Sequence, residues 1–96
     1  PRDASKPNGY VITSDDAGKF IYATGTVNVP GNIFNIGENV TIYNSTGSSI
    51  AINSTGGVML LAGLGTSGNR TLDTKGLATI LCVDTNTYAI TGAGLN

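Results

Sequence analysis

Short apolar runs recur along the chain from Tyr10 onward, and clusters of Gly, Asn, Ser and Thr separate them. Val40 and Ile42 fall on one side of an extended chain, with Thr41 and Tyr43 on the other. A period of two residues indicates a β-strand with one buried face. No stretch shows a 3.6-residue apolar stripe of helical length, so the pattern predicts an all-β protein. The predicted strands are Tyr10–Thr13, Phe20–Ala23, Thr26–Val29, Val40–Tyr43, Ile50–Asn53, Val58–Ala62, Ala78–Val83 and Tyr88–Thr91.

The connections between these runs are rich in residues that tolerate positive φ or form side-chain turns. Asn44–Gly47, Ser54–Gly57 and Asp84–Thr87 are the clearest examples, and they predict an antiparallel meander. We therefore expect a single small antiparallel β-sandwich or barrel of about seven to eight short strands over residues 10–96. Residues 1–9 carry two prolines, two cations and no apolar cluster, which predicts an extended N-terminal arm.

Two longer stretches lack a clear strand pattern. Gly31–Asn39 holds Ile33, Phe34 and Ile36, and we expect these side chains to pack over one end of the sheet. Gly63–Gly76 is more polar and rich in glycine, which predicts a surface excursion at a contact with another chain.

Composition narrows the range of functions. Charged residues make up 11% of the chain, against about 25% in ordinary globular proteins, and Gly, Thr, Asn and Ser fill 44 of its 96 positions. The scattered five cations and a net charge of −1 disfavour a nucleic-acid-binding module, which clusters its Lys and Arg. The longest apolar run, Val58–Ala62, is far shorter than the roughly 20 residues of a membrane span. We expect neither nucleic acid nor a membrane as partner.

Residues that commonly perform catalysis are scarce. There is no His, and a single Cys82 lies among apolar residues, whereas a reactive thiol needs an electropositive site. Gly63–Gly68 matches the dinucleotide-binding spacing G-x-G-x-x-G, but that chemistry requires a helix directly after the glycines, and none is predicted. Asp15 and Asp16 are adjacent acids of the kind that more often cap a helical turn than bind calcium. We therefore expect no catalytic, cofactor-binding or metal-binding residues and no enzymatic activity.

Several motifs, taken in order, resemble a family of small β-modules found in structural proteins of tailed bacteriophages. Nearly the whole chain, from Tyr10 to Leu95, takes part in the resemblance. Tyr88 stands where Trp is frequent in that family. The motifs are Ser14–Ile21 with its Asp-Ala-Gly-Lys turn, Val27–Pro30, Ile36–Asn44, Gly56–Leu60, Gly76–Leu81 and Asn86–Gly92.

The resemblance implies a virion structural protein made in the host cytoplasm. A short chain without stalk repeats suggests a capsid decoration, or cement, protein that binds the outside of the major capsid protein, and such proteins often form homotrimers. The alternative is a head-fibre or tail-fibre module that binds a host-surface glycan or receptor. We expect an interface at the arm and at the excursion. The candidate interface residues are Arg2, Lys6, Pro7, Leu64, Thr66, Asn69 and Arg70.

Overall fold

The computed structural model describes residues 5–96, which form eight strands and one short 3₁₀ turn. Strands, with the isolated bridge positions Lys6 and Ser67, account for 54% of the described residues and helix for 3%, which confirms the all-β prediction. The 3₁₀ turn, Ser14–Asp16, lies between the first two strands. The strands are β1 (Tyr10–Val11), β2 (Phe20–Ala23), β3 (Val27–Val29), β4 (Asn39–Asn44), β5 (Ile50–Ser54), β6 (Val58–Leu61), β7 (Arg70–Asp84) and β8 (Thr87–Leu95).

Strand pairing differs from the predicted meander. β1, β3 and β5 form one parallel stack, β2 and β4 form a second, and β6 lies parallel to β8. The antiparallel pairs all involve β7, which binds β4, β5 and β8. Only β7 and β8 are both consecutive in sequence and adjacent in the sheet. The prediction of an antiparallel meander is therefore wrong, although all eight strands do belong to one sheet.

The difference has a physical reason. Turn residues determine where the backbone can change direction, but they do not determine which strand the next one will bind. The connections after β1 and β3 carry the chain out of the β1–β3–β5 stack, and the chain returns to it with β3 and β5 as parallel neighbours. A strand with one buried face alternates in the same way whether its neighbour is parallel or antiparallel, so the sequence pattern is equally compatible with both pairings.

The 15-residue strand β7 organises the sheet. One of its edges binds β8, while the other binds β5 at Arg70–Leu72 and then β4 at Leu77–Leu81. The two parallel stacks therefore separate along this edge. The predicted excursion over Gly63–Gly76 is corrected accordingly: residues 70–76 belong to β7, and only residues 62–69 connect β6 to it.

A fully buried amide fills the place where β4 and β5 separate. Asn44, the last residue of β4, donates its Nδ2 hydrogens to the carbonyls of Ser48, Leu72 and Asp73 at 2.8–3.0 Å. Its Oδ1 accepts from the backbone N–H and the hydroxyl of Thr46 at 3.0 and 2.7 Å. One side chain therefore hydrogen-bonds both the β4–β5 connection and β7, and its own polar atoms are all paired in the buried site.

The core is a single cluster of aliphatic side chains on the inner side of the sheet. Phe34, in the connection after β3, packs edge-on against the buried Tyr88 with ring centroids 6.2 Å apart. The Tyr88 hydroxyl donates to the carbonyl of Pro30 at 3.0 Å, and burial raises the pKa of this phenol above its ordinary value. The expected packing of Gly31–Asn39 is confirmed for Phe34, whereas Ile36 remains exposed.

Residues 5–9, the described part of the predicted arm, lie against the connection between β2 and β3. The Lys6 N–H donates to the carbonyl of Tyr22 at 3.1 Å, and the Gly9 N–H donates to that of Thr26 at 2.8 Å. The Asn8 side chain accepts from the Thr26 N–H at 2.8 Å. These contacts attach residues 5–9 to the body of the same chain.

Candidate interaction surface

Three rows of side chains cross the outer side of the sheet formed by β2, β4, β7, β8 and β6. The rows follow from the registers, because residues directly opposite one another in neighbouring strands project from the same face. We call this surface the uncharged face, since it contains no Asp, Glu, Lys, Arg or His. The rows are Phe20–Thr41–Thr79–Thr91, Tyr22–Tyr43–Leu77–Ala93 and Asn39–Leu81–Ala89–Leu60.

Large apolar groups on this face are accessible to solvent. Leu77 is 49% exposed and Leu81 is 39% exposed, while the rings of Tyr22 and Tyr43 lie 5.8 Å apart. An open hollow of about 540 Å³ lies between Phe20, Tyr22, Thr41, Tyr43 and Leu77. Contiguous apolar surface of this kind marks binding sites on soluble proteins, and Tyr is enriched where proteins meet.

The sequence contains a signal for this surface. In β2, Ile21 and Ala23 point inward and are buried, yet the outward positions carry Phe20 and Tyr22. β7 is similar between residues 77 and 83, where buried positions alternate with outward Leu77, Thr79, Leu81 and Val83. Strands that are apolar on both sides are typical of burial on both sides. Sequence reasoning missed the surface because it treated these runs as one-sided.

The outer side of the β1–β3–β5 stack is different. Val11, Asn28 and Asn53 form an outward row there. The Asn53 amide lies 3.4 Å from the Asn28 Oδ1 atom, and the Asn28 amide donates to the Gly9 carbonyl at 3.3 Å. The two outer sides therefore differ in chemistry: this one presents amides, whereas the uncharged face presents rings and aliphatic groups.

Of the predicted interface residues of the arm, the structure describes Lys6 and Pro7, and neither belongs to the three rows of the uncharged face. Lys6 joins the free edge of β2 through Ala23, and its Nζ atom lies 4.8 Å from the centroid of the Tyr10 ring. Pro7 is exposed, and its carbonyl accepts from the Tyr10 N–H at 3.2 Å. Arg2 lies outside the described residues.

The other predicted interface residues lie between β6 and the start of β7. Leu64 is 77% exposed at the tip of a turn, and the Thr66 carbonyl accepts from the Leu61 N–H. The Asn69 side chain accepts from the Ser54 N–H at 2.9 Å. Arg70 begins β7, and its Nε atom is buried without a hydrogen-bond partner among the described residues.

The structure does not bring these two predicted groups together. Tyr10, beside Lys6, and Arg70 stand at opposite ends of a four-strand row that runs through Val27 and Ile52. Three strand spacings, about 14 Å, separate the ends of such a row. Residues 5–9 and the β6–β7 connection therefore belong to two separate surfaces.

The remaining candidates for chemistry have structural surroundings. The buried Asp16 accepts from the Tyr10 hydroxyl at 2.5 Å and from the Thr13 N–H at 2.9 Å. The Cys82 thiol is buried near the carbonyls of Phe34 and Asp84. Gly68 of the dinucleotide-like motif is followed by β7 and not by a helix. Within residues 5–96 there is no group of three or more His, Cys, Asp or Glu side chains that could hold a metal ion.

A polar hollow of about 350 Å³ lies beside the β7–β8 turn, lined by Asn32, Phe34, Asn35, Ile36, Thr85 and Asn86. Asn86, with φ of 52°, accepts from the Asn32 N–H at 2.9 Å and donates to the Gly56 carbonyl at 3.3 Å. The turn therefore holds this hollow in a defined shape.

None of the helices in the described part of the chain has the length and apolar character needed to cross a membrane. Comparison with protein families, curated proteins and solved structures finds no match for this chain.

Proposed function

We propose that the protein is a non-enzymatic structural protein of a tailed-bacteriophage virion. In this proposal it is a capsid decoration protein that binds the outer surface of the major capsid protein and stabilises the head. The observation that carries the proposal is the uncharged face, an accessible apolar surface on a small β-domain. A protein that works by assembly needs such a surface, and the resemblance in sequence motifs points to a virion as the place of assembly.

The proposal includes a homotrimer whose copies contact both each other and the capsid. The β6–β7 connection is suited to the capsid contact. In this connection, Leu64 lies between Gly63 and Gly65. The φ angles of these glycines are 88° and 72°, values that only glycine adopts readily. The turn holds an apolar side chain well outside the sheet, where a neighbouring protein can cover it.

Binding to isolated heads tests this proposal. Purified protein is mixed with heads that lack it, and the bound protein is located by cryo-microscopy. We expect density on the outer capsid surface and a rise in the temperature at which the heads open. The Leu64→Asp variant should bind at least about 10-fold more weakly, because it would bury a carboxylate at the contact. Density confined to the tail would contradict the proposal.

The polar hollow favours a second candidate, a fibre module that binds a host-surface glycan or receptor. Asn32 and Asn35 line it beside the exposed Ile36, and a sugar presents both hydroxyl groups and apolar C–H surface to its binding site. Glycan arrays and whole host cells provide the test. Binding that is lost in Asn35→Ala, together with absence of the protein from the head, would favour this function over decoration.

A further inference from the structure

We propose that a second copy of this chain covers the uncharged face. The inference deepens the proposed function, because it assigns the contact between copies to this face and leaves the β6–β7 connection for the capsid. It is nevertheless tested on the purified protein alone. Three properties of the face support a second copy as its occupant: its charge, its division into large and small side chains, and its area.

The first property is charge. All twelve residues that define the face are uncharged, so a charged partner surface would lose hydration there without gaining a counter-charge. The matching surface must itself be free of charge. The chain has only 11 charged residues in 96, and this face provides such a surface on every copy. With a net charge of −1, two copies also repel each other little.

The second property is shape. Bulky side chains, among them Tyr22 and Tyr43, occupy β2 and β4 and surround the open hollow. Small side chains, Ala89, Thr91 and Ala93, occupy the outward positions of β8. When β2 and β4 of one copy lie over β8 of another, the rings fill the space that the small residues leave. Such alternation of large and small residues allows two surfaces to pack at the density of a protein interior.

The third property is area. The face spans five strands and three rows, or about 24 Å by 20 Å at ordinary strand and residue spacings. Two such faces would together bury about 1,000 Å², near the lower limit for a specific protein interface. The exposed Val58 and Val83 enlarge the apolar area at its margins. The face therefore reaches the size of a specific interface between two copies.

The experiment compares two substitutions at equally exposed positions. Leu77 on the uncharged face is 49% exposed and Val11 on the amide-bearing outer side is 51% exposed, so Leu77→Lys and Val11→Lys add the same charge at similar cost to the isolated chain. Sedimentation equilibrium measures the assembled mass against the subunit mass of 9.7 kDa. We expect a dimer or trimer for the wild type and for Val11→Lys, and a dissociation constant raised about 100-fold or more for Leu77→Lys.

A second variant separates shape from charge. Ala93 on β8 is exposed and lies opposite Leu77 of β7. Ala93→Phe is therefore compatible with the isolated fold, but its ring would occupy the space above β8 into which the rings of the other copy are inferred to fit. We expect it to weaken association by about 10-fold or more without introducing a charge. Circular dichroism and urea unfolding of dilute samples verify that each variant is folded.

Two results would overturn the inference. One is a wild-type protein that remains at the subunit mass up to about 1 mM; the other is an equal loss of association in Leu77→Lys and Val11→Lys. Failure of the proposed function looks different. If the copies associate through this face but the assembly does not bind heads, the decoration function is wrong and the inference stands. If a monomeric protein binds heads, the inference and the proposed homotrimer are wrong and the decoration function stands.

Discussion

Asn44 provides the sharpest test of how the sheet is built. The Asn44→Ala variant removes the buried amide that joins the end of β4 to β7 and to the β4–β5 connection. The carbonyls of Ser48, Leu72 and Asp73 lose a donor, and the backbone N–H of Thr46 loses its acceptor. The hydrogen bond to the Leu72 carbonyl is the fully buried one. Water cannot readily reach the Leu72 carbonyl, because both Asn44 and Leu72 are fully buried, whereas the other three groups are only partly buried.

The expected cost follows from these contacts. Leaving a buried polar group unpaired costs about 1–3 kcal/mol, and the missing amide also leaves a small cavity. We expect Asn44→Ala to lower the free energy of unfolding by about 3–4 kcal/mol, a large fraction of the 5–15 kcal/mol typical of a domain. With a urea m-value of about 1.5 kcal/mol/M, the unfolding midpoint should fall by about 2 M.

Urea unfolding at low micromolar concentration is the assay, and Asn53→Ala is the matched control. Asn53 lies on β5 and is half-buried, and its amide makes one long hydrogen bond, 3.4 Å, to Asn28. The same substitution should cost less than about 1 kcal/mol there. If the two variants differ by less than about 1 kcal/mol, the bridging role assigned to Asn44 is wrong.

Three further predictions use the same assay. Gly92→Ala should destabilise the fold by about 2 kcal/mol or more, because an added Cβ would lie 2.1 Å from the carbonyl oxygen of Leu77. Gly47→Ala is the control and should be close to neutral, because a Cβ at that position would meet open space. Asp16→Ala should lower the free energy of unfolding by about 2–3 kcal/mol, because its hydrogen bonds to Tyr10 and Thr13 are lost. Asp15 is exposed, so Asp15→Ala should change this free energy by less than about 0.5 kcal/mol. Tyr88→Phe should cost about 1 kcal/mol at pH 8. The pKa of Tyr88 is raised in the folded state. The hydroxyl therefore contributes its full stabilisation below the pKa of Tyr in the unfolded chain, about 10, and loses it as the pH rises above that value. The difference in unfolding free energy between wild type and Tyr88→Phe should consequently shrink between pH 8 and pH 11.

Local signals in the sequence predict the strands well. Phe20–Ala23 is predicted to the residue, and the structure extends Val40–Tyr43 only to Asn39–Asn44. These runs alternate with period two and end in turn residues, so their conformation depends on near neighbours. The burial of Cys82 and the packing of Phe34 were predictable for the same reason, since each lies within an apolar run.

Strand pairing depends on contacts far apart in sequence, and local patterns do not encode it. Residues 70–76, just before the predicted strand Ala78–Val83, are mostly polar and look like a loop in the sequence. In the structure, however, Arg70–Leu72 is the start of β7 and binds β5. This segment is recognised as a strand only in the structure, where β5 and β8 lie on either side of it. Asn44 is a similar case: in the sequence it is one of several turn asparagines, and only the separation of the two stacks makes it a buried bridge.

The uncharged face connects the sequence pattern with assembly. A one-sided strand alternates between apolar and polar residues, but Leu77–Val83 has apolar residues on both sides, as strands buried on both sides do. Among the described residues, the core covers the inner side of this sheet, and Leu77 and Leu81 on the outer side are exposed to solvent. Charged side chains at these outward positions would make an isolated β-domain more soluble, so their absence favours a second layer outside the chain. The same residues therefore explain why local sequence patterns predict the strands, and they are the basis of the inference that a second copy covers the outer surface.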